Sequence, residues 1–287
     1  MKLARFCDGS ATSIGWIIDD EIIDLRSGDA RLPNDLVALL RAEDDGLQAI
    51  RSAARSARRR PLSAVRLCAP VPAPRKFLGL GLSFRSHVEE IRASGAAIPE
   101  HQVWFNKQVT AVNGPFDPIH LPRVSSQLDY EGELAIVIGK RARHVHRGDA
   151  QRIIAGYMVC NDVTVRDWQR RSPTAMLGKS FDTHAPIGPW LTTADEVPSA
   201  GNLNIRTWVN GELRQHGNTN DLIYSFGEMI EELSAAFTLE PGDILTTGTP
   251  SGIGATAKPP RFLREGDTVR VEVESLGYIE NRVIAEP

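Results

Sequence analysis

The chain is poor in cysteine and in net charge, and each shortage excludes something. Only three cysteines occur in 287 residues, namely Cys7, Cys68 and Cys160. They are odd in number, far apart and form no C-x-x-C pair, which argues against a disulfide framework or a zinc knuckle and fits a reducing compartment. A formal net charge of −3 offers no general polyanion-binding surface, so nucleic acid is not an expected partner. The one basic run, Arg51, Arg55, Arg58, Arg59 and Arg60, has no aromatic or glycine companion. It reads as the solvated C-terminal end of a helix, where positive charge complements the dipole, rather than as a phosphate patch. No stretch approaches the roughly 18 uninterrupted apolar residues of a membrane span. Residues Met1 to Ser10 carry Lys2, Arg5 and Asp8 in place of a signal-peptide core, so the expected location is the cytoplasm. Internal repeats and low-complexity segments are absent as well.

What remains is an ordinary globular composition, able to bury a core without staples. Ser13 to Ile18 and Glu21 to Leu25 are apolar runs around Asp19-Asp20, the pattern of a hairpin. From Asp35 to Arg59, Leu36, Leu39, Leu40, Leu47 and Ile50 recur at helical spacing. Cys68 to Pro74 is proline-rich and reads as an extended linker. The expected division is therefore a small N-terminal α/β unit, 1–70, and a larger domain, 71–287. In the latter, Leu134 to Gly139, Ile153 to Cys160, Leu203 to Val209 and Thr268 to Val273 read as strands. Asn210-Gly211 reads as a two-residue hairpin turn, and Leu222 to Phe237 as a helix. Strands do not alternate regularly with long helices, so the expected class is α+β dominated by strands, not a doubly wound sheet.

Several residues have the chemistry of a site. In Asp129-Tyr130-Glu131-Gly132-Glu133-Leu134-Ala135-Ile136-Val137-Ile138, strand alternation points Glu131 and Glu133 the same way as Ala135 and Val137. Leu134, Ile136 and Ile138 are apolar too, so both faces of the strand should be covered. Two carboxylates converging at its mouth repel each other unless a cation or a shared proton compensates. Carboxylates select hard cations. Two glutamates that simply reach solvent would give the same pattern, so the strand alone leaves the choice open. Asp162 ends the next apolar run in Asn161-Asp162-Val163-Thr164, where it would complete such a site. Asn-Asp is also common turn chemistry. His87 and Glu90 are three apart in what reads as a short helix, so they share a face, and a carboxylate beside an imidazole makes a general base. An amphipathic surface helix would look the same. Lys179, among apolar neighbours, would suit an anion, although solvent exposure is the commoner fate. The stretch Thr246 to Gly254 could wrap an anion with backbone N–H groups. Gly252 to Ala257 formally matches a dinucleotide fingerprint, but Lys258-Pro259-Pro260 follows instead of a helix. His144 and His146 read as surface residues.

Together these segments resemble the fumarylacetoacetate hydrolase superfamily, especially its short bacterial acylpyruvase-like members. The resemblance runs from about Lys76 to Val273. It includes Phe105-Asn106-Lys107, Asn113-Gly114-Pro115, Asp129 to Leu134, Gly156-Tyr157 with Asn161 to Asp167, Lys179 to Thr183, Pro186 to Pro189 and Pro241 to Pro250. It implies a mixed β-roll catalytic domain, a homodimer, and Mg²⁺ or Mn²⁺ held by Glu131, Glu133 and Asp162. It further implies that His87 and Glu90 activate water on a lid segment, Glu89 to Gln102, and that Lys179 stabilises developing negative charge. Arg85, Arg166, Gln169, Gly248 and Thr249 match positions near the substrate's polar groups. The implied reaction is hydrolysis of a C–C bond in a 2,4-dioxo acid of the acylpyruvate type. The same site admits decarboxylation or isomerisation of oxaloacetate or an unsaturated 2-oxo diacid, or a catalytically idle 2-oxo acid binder. Three departures stand out. No fourth acid occurs in Leu80 to Phe84, Ser83-Phe84 replaces the usual Asn-Tyr, and His184 stands where a small or aromatic residue is expected.

Overall fold

The computed structural model describes residues 1–9, 11–93 and 100–287, the side chains of residues 43 and 44 excepted. Its spine is the strand Gly132–Ile138, buried at every position. Leu134, Ile136 and Ile138 pack with Val159, Ile205 and Val271, whereas Ala135 and Val137 pack with Val71, Phe77, Met158 and Ile187. The strand is thus covered on both faces, as its apolar run predicts. Each such aliphatic side chain contributes about 1.5–3 kcal/mol on full burial.

This strand lies between Ile154–Asn161 and Ile244–Thr246, both antiparallel to it. Outward from Ile154–Asn161 come Ala185–Thr193, Lys2–Asp8, Ala11–Ile18, Glu21–Asp24 and Arg58–Pro61; outward from Ile244–Thr246 come Phe77–Gly81 and Val103–Asn106. A second, five-stranded sheet runs Glu212–Asn218, Asn204–Val209, Thr268–Val273, Gly277–Ala285, Ile119–Leu121. Strict alternation of burial in its central strands turns Ile205, Thr207 and Val209, with Val269, Val271 and Val273, inward. The result is the strand-dominated α+β class expected. The Asn210-Gly211 turn has both residues at positive φ (53° and 78°), the backbone that a two-residue hairpin requires. The helix expected within Leu222 to Phe237 forms at Phe226–Ala236, started by a capping box between Ser225 and Glu228.

Two expectations about the first segment need correction. The periodic stretch from Asp35 to Arg59 is two helices, Leu36–Arg41 and Glu43–Ala54, parted at Ala42. Arg58, Arg59 and Arg60 are not a helix end but an edge strand paired with Glu21–Asp24. Their charges meet Asp24 at 3.7 Å, Glu21 at 3.3 Å and Asp8 at 2.5 Å. The acids lie 34 to 52 residues upstream, so no local pattern reveals them. The proline-rich stretch from Cys68 to Pro74 is not a free linker either, since Ala69 and Val71 are buried under the Ala135 face of the spine. Lys2 and Leu3 pair with Thr192 and Leu191, so one sheet runs from the N-terminal hairpin into the larger part of the chain. Among the described residues, no helix is long and apolar enough to cross a membrane.

Candidate active site

Glu131 sits at the entrance of the spine strand and Glu133 inside it. Asp162 follows the end of the neighbouring strand, where Gly132 pairs with Asn161. Asp162 N–H donates to Glu131 O at 2.9 Å and Glu131 N–H to Asn161 Oδ1 at 3.0 Å, which locks the two strand ends together. The three carboxylates each place one oxygen within 4.8 Å of the others, and all are buried.

Buried charge of this density must be answered, and the answer comes from far along the chain. Lys179 Nζ donates to Glu131 Oε2 at 2.7 Å and to Asp162 Oδ2 at 2.5 Å, and lies 4.7 Å from the Phe105 ring centroid. Lys107 Nζ donates to the other Asp162 oxygen at 2.5 Å and to Val163 O at 3.3 Å. Arg166 bridges Asp129 Oδ2 (2.8 Å) and Glu131 Oε1 (2.6 Å), and its Nη1 also reaches Gln169 Oε1 at 3.2 Å. Burial would push Glu131 up, but Lys179 and Arg166 hold it well below the usual carboxylate range. Burial would push Lys179 down, yet Asp162 and Glu131 hold it up. Burial together with the charges of Asp162 and Glu131 drives Glu133 well above the usual range. Four carboxylates, Asp129, Glu131, Glu133 and Asp162, thus face three cations, and Glu133 carries the excess. A hard divalent cation suits that balance and that donor set.

His87 is buried on the helix Arg85–Arg92, and its Nδ1 lies 3.1 Å from Glu90 Oε2. Glu90 also accepts from Thr256 Oγ1 at 2.6 Å and from Gly252 N–H at 3.2 Å. Burial alone would raise Glu90; the bonds from His87, Thr256 and Gly252 outweigh it and keep the carboxylate ionised. An ionised Glu90 accepts a hydrogen bond from His87 Nδ1–H, the tautomer that leaves Nε2 as the free base.

The loop from Thr246 to Gly254 wraps anions as its sequence suggests, but the anions belong to the protein. Gly248 N–H donates to Glu133 Oε2 at 3.0 Å, Gly252 N–H to Glu90, and Gly254 N–H to Asp129 Oδ1 at 2.8 Å. Gly248 has φ +87°, and a Cβ there would stand 1.8 Å from Ser83 Oγ, so only glycine fits. Thr249 Oγ1 donates to Gly132 O at 3.0 Å and accepts from Gln215 Nε2 at 2.8 Å.

Glu131, Asp162, Lys179, Arg166 and Gln169 are therefore joined by direct bonds, Gly248 and Thr249 reach Glu133 and Gly132 O, and the His87–Glu90 pair is tied to this cluster through the loop whose Gly252 and Gly254 amides bond Glu90 and Asp129. Arg85 is not part of that network: it is exposed and donates to Leu222 O at 2.7 Å. Of the expected lid, Glu89 to Gln102, residues 94–99 lie outside the described residues. His184 is fully buried against Phe181, with Nε2 2.8 Å from His120 O, and burial lowers its pKa to about 3. Sequence reasoning gave no role to Lys107, Asp129, Gln215 or Thr256. Asp129 and Lys107 stand inside recognisable motifs, yet no local period marks either as a buried partner of a residue 37 or 55 positions away.

The family model for the fumarylacetoacetate (FAA) hydrolase C-terminal region matches residues 76–284. The chain is 41% identical over 266 residues to the mitochondrial oxaloacetate tautomerase FAHD2B of Bos taurus, covering 92% of this chain and 84% of that one. It is 40% identical over 288 residues to the oxaloacetate tautomerase YisK of Bacillus subtilis (strain 168), covering 94% and 95%. Among solved structures it is similar to maleylpyruvate hydrolase from Sphingobium sp. SYK-6 in complex with manganese(II) and pyruvate. That match has a TM-score of 0.83 and 35% identity and covers the whole of both chains. The chain belongs to the fumarylacetoacetate hydrolase superfamily of enzymes.

Proposed function

We propose that this enzyme interconverts the keto and enol forms of oxaloacetate by moving a proton between C3 and the 2-oxo oxygen, with a divalent cation, Mg²⁺ or Mn²⁺, in the carboxylate site. The observation that carries this reading is that relatives similar over nearly the whole chain, bacterial and animal alike, are oxaloacetate tautomerases. It takes precedence over C–C hydrolysis of an acylpyruvate, the first expectation from sequence. The two positions beside the dyad also favour it. Ser83 spends its hydroxyl on Thr247 O at 2.6 Å and Phe84 is fully buried, so neither offers a polar group to the far end of a longer substrate.

Glu131, Glu133 and Asp162 would hold the cation, which supplies Lewis-acid polarisation of the 2-oxo group when bound. His87 Nε2 takes the C3 proton, and Glu90 keeps the imidazole in the required tautomer and steadies its charge afterwards. Lys179, fixed between Glu131 and Asp162, sets positive charge beside the oxygen that becomes negative. Arg166 Nη2 is buried and without a partner among the described residues, which suits a substrate carboxylate. The same reading carries a homodimer, for which light scattering is the check.

The test is to follow, with Mn²⁺ or Mg²⁺ added, the decay of enol-oxaloacetate absorbance and, separately, pyruvate release from acylpyruvates and from oxaloacetate. Accelerated ketonisation without pyruvate supports the proposal. Pyruvate release from an acylpyruvate without any effect on the enol would replace it with hydrolysis. Pyruvate from oxaloacetate would replace it with decarboxylation.

A further inference from the structure

The cysteines excluded from a disulfide framework by sequence spacing are not all apart in space. Cys7 lies on the first strand and Cys68 on the short strand Arg66–Cys68 that pairs with it, in a register that opposes Cys7 to Arg66 and Arg5 to Cys68. Cys7 and Cys68 are therefore diagonal neighbours on one face of the ladder. Their sulfurs are 2.9 Å apart although the two residues are 61 positions apart in the chain. A bonded pair needs about 2.05 Å, so the gap to close is under an ångström. Cys68 is buried while Cys7 is part-exposed, which leaves one sulfur open to a reagent. Arg66 Nη2 lies 3.4 Å from Cys7 Sγ. Cys160, the third cysteine, is fully buried in the main sheet.

We propose that Cys7 and Cys68 form a reversible redox site that a small disulfide such as oxidised glutathione converts to an intramolecular bond. The Cys7 thiolate attacks one glutathione sulfur, forming a mixed disulfide and releasing one glutathione. Cys68 then loses its proton and attacks Cys7 Sγ, which releases the second glutathione. Two thiols are oxidised, one disulfide is reduced, and both protons end on the departing glutathiones. Burial raises the Cys68 thiol to about 11, so the second step is the slow one. The bond staples the first strand to the strand that precedes the buried Ala69-Val71 segment. Because Lys2 and Leu3 pair with the strand Ala185–Thr193, it resists detachment of the N-terminal hairpin from the main sheet.

The full-length protein is incubated with oxidised glutathione, blocked with a thiol reagent and peptide-mapped without reduction. The expected result is a linked pair of peptides containing Cys7 and Cys68, with Cys160 alone alkylated after denaturation. Melting should rise by about 5 °C or more and return with dithiothreitol. Cys7→Ser should abolish the linked peptide and the shift, while wild-type mapping remains decisive if that variant folds poorly. Three free thiols, or glutathione left on Cys7 without transfer to Cys68, would overturn the proposal.

Discussion

Acid–base pairs occur in two settings in this molecule, and they obey different rules. Along the edge strand Arg58–Pro61, Arg59 and Arg60 meet Glu21 and Asp8 at the surface, where water answers any charge that loses its partner. At the mouth of the strand Gly132–Ile138, Asp129, Glu131, Asp162, Lys107, Lys179 and Arg166 hold one another with almost no solvent. There each charge depends on a named partner, and losing one leaves another uncompensated in a low dielectric. The first arrangement holds an edge strand; the second builds a buried carboxylate cluster of the kind that can hold a cation.

The contrast can be broken by substitution, and the largest effects belong to the buried group. Asp162→Ala should abolish both turnover and cation binding, measured by assay and by calorimetric titration with Mn²⁺; retained binding would remove Asp162 from the ligand set. His87→Ala should lower turnover by about 10²–10⁴-fold while leaving cation binding unchanged. Unchanged turnover would end its role as the proton carrier. Lys107→Met leaves one Asp162 oxygen without its cation, and an outer partner of a ligand costs about 10–100-fold in metal affinity. Calorimetry against wild type reads this directly, and an unaltered affinity would make Lys107 merely structural.

A smaller effect comes from His184. The unfolded chain takes up a proton near pH 6.5, whereas burial keeps the folded imidazole neutral down to about 3. Stability is therefore fully present above pH 6.5 and is lost as pH falls through that window, by about 1.4 kcal/mol per unit. His184→Phe should reduce the loss in unfolding free energy between pH 7 and 5 by about 2 kcal/mol, read by urea titration at both values. The smallest effect is Arg59→Ala, expected to change stability by less than about 0.5 kcal/mol because its pair with Glu21 is exposed. A cost of several kcal/mol there would erase the distinction between the two regions.

Much of this molecule is legible in short stretches of its sequence. The two-sided strand, the Asn210-Gly211 turn, the Thr268–Val273 strand and the pairing of His87 with Glu90 depend on neighbours within a few residues, so residue type and period determine them. The ordered motifs from Lys76 to Pro250 are enough to indicate the family. Other features were decided only by tertiary structure. The proline-rich stretch became core because a sheet face needed cover, and the three arginines became a strand because Glu21–Asp24 offered an open edge. Lys107 became a partner of Asp162, and the Gly248, Gly252 and Gly254 amides came to cradle Glu133, Glu90 and Asp129 across 115 to 162 residues of chain. Local sequence determines which groups can ionise and which backbone can turn. Whether a charge is answered by water or by another residue depends on what the fold brings beside it.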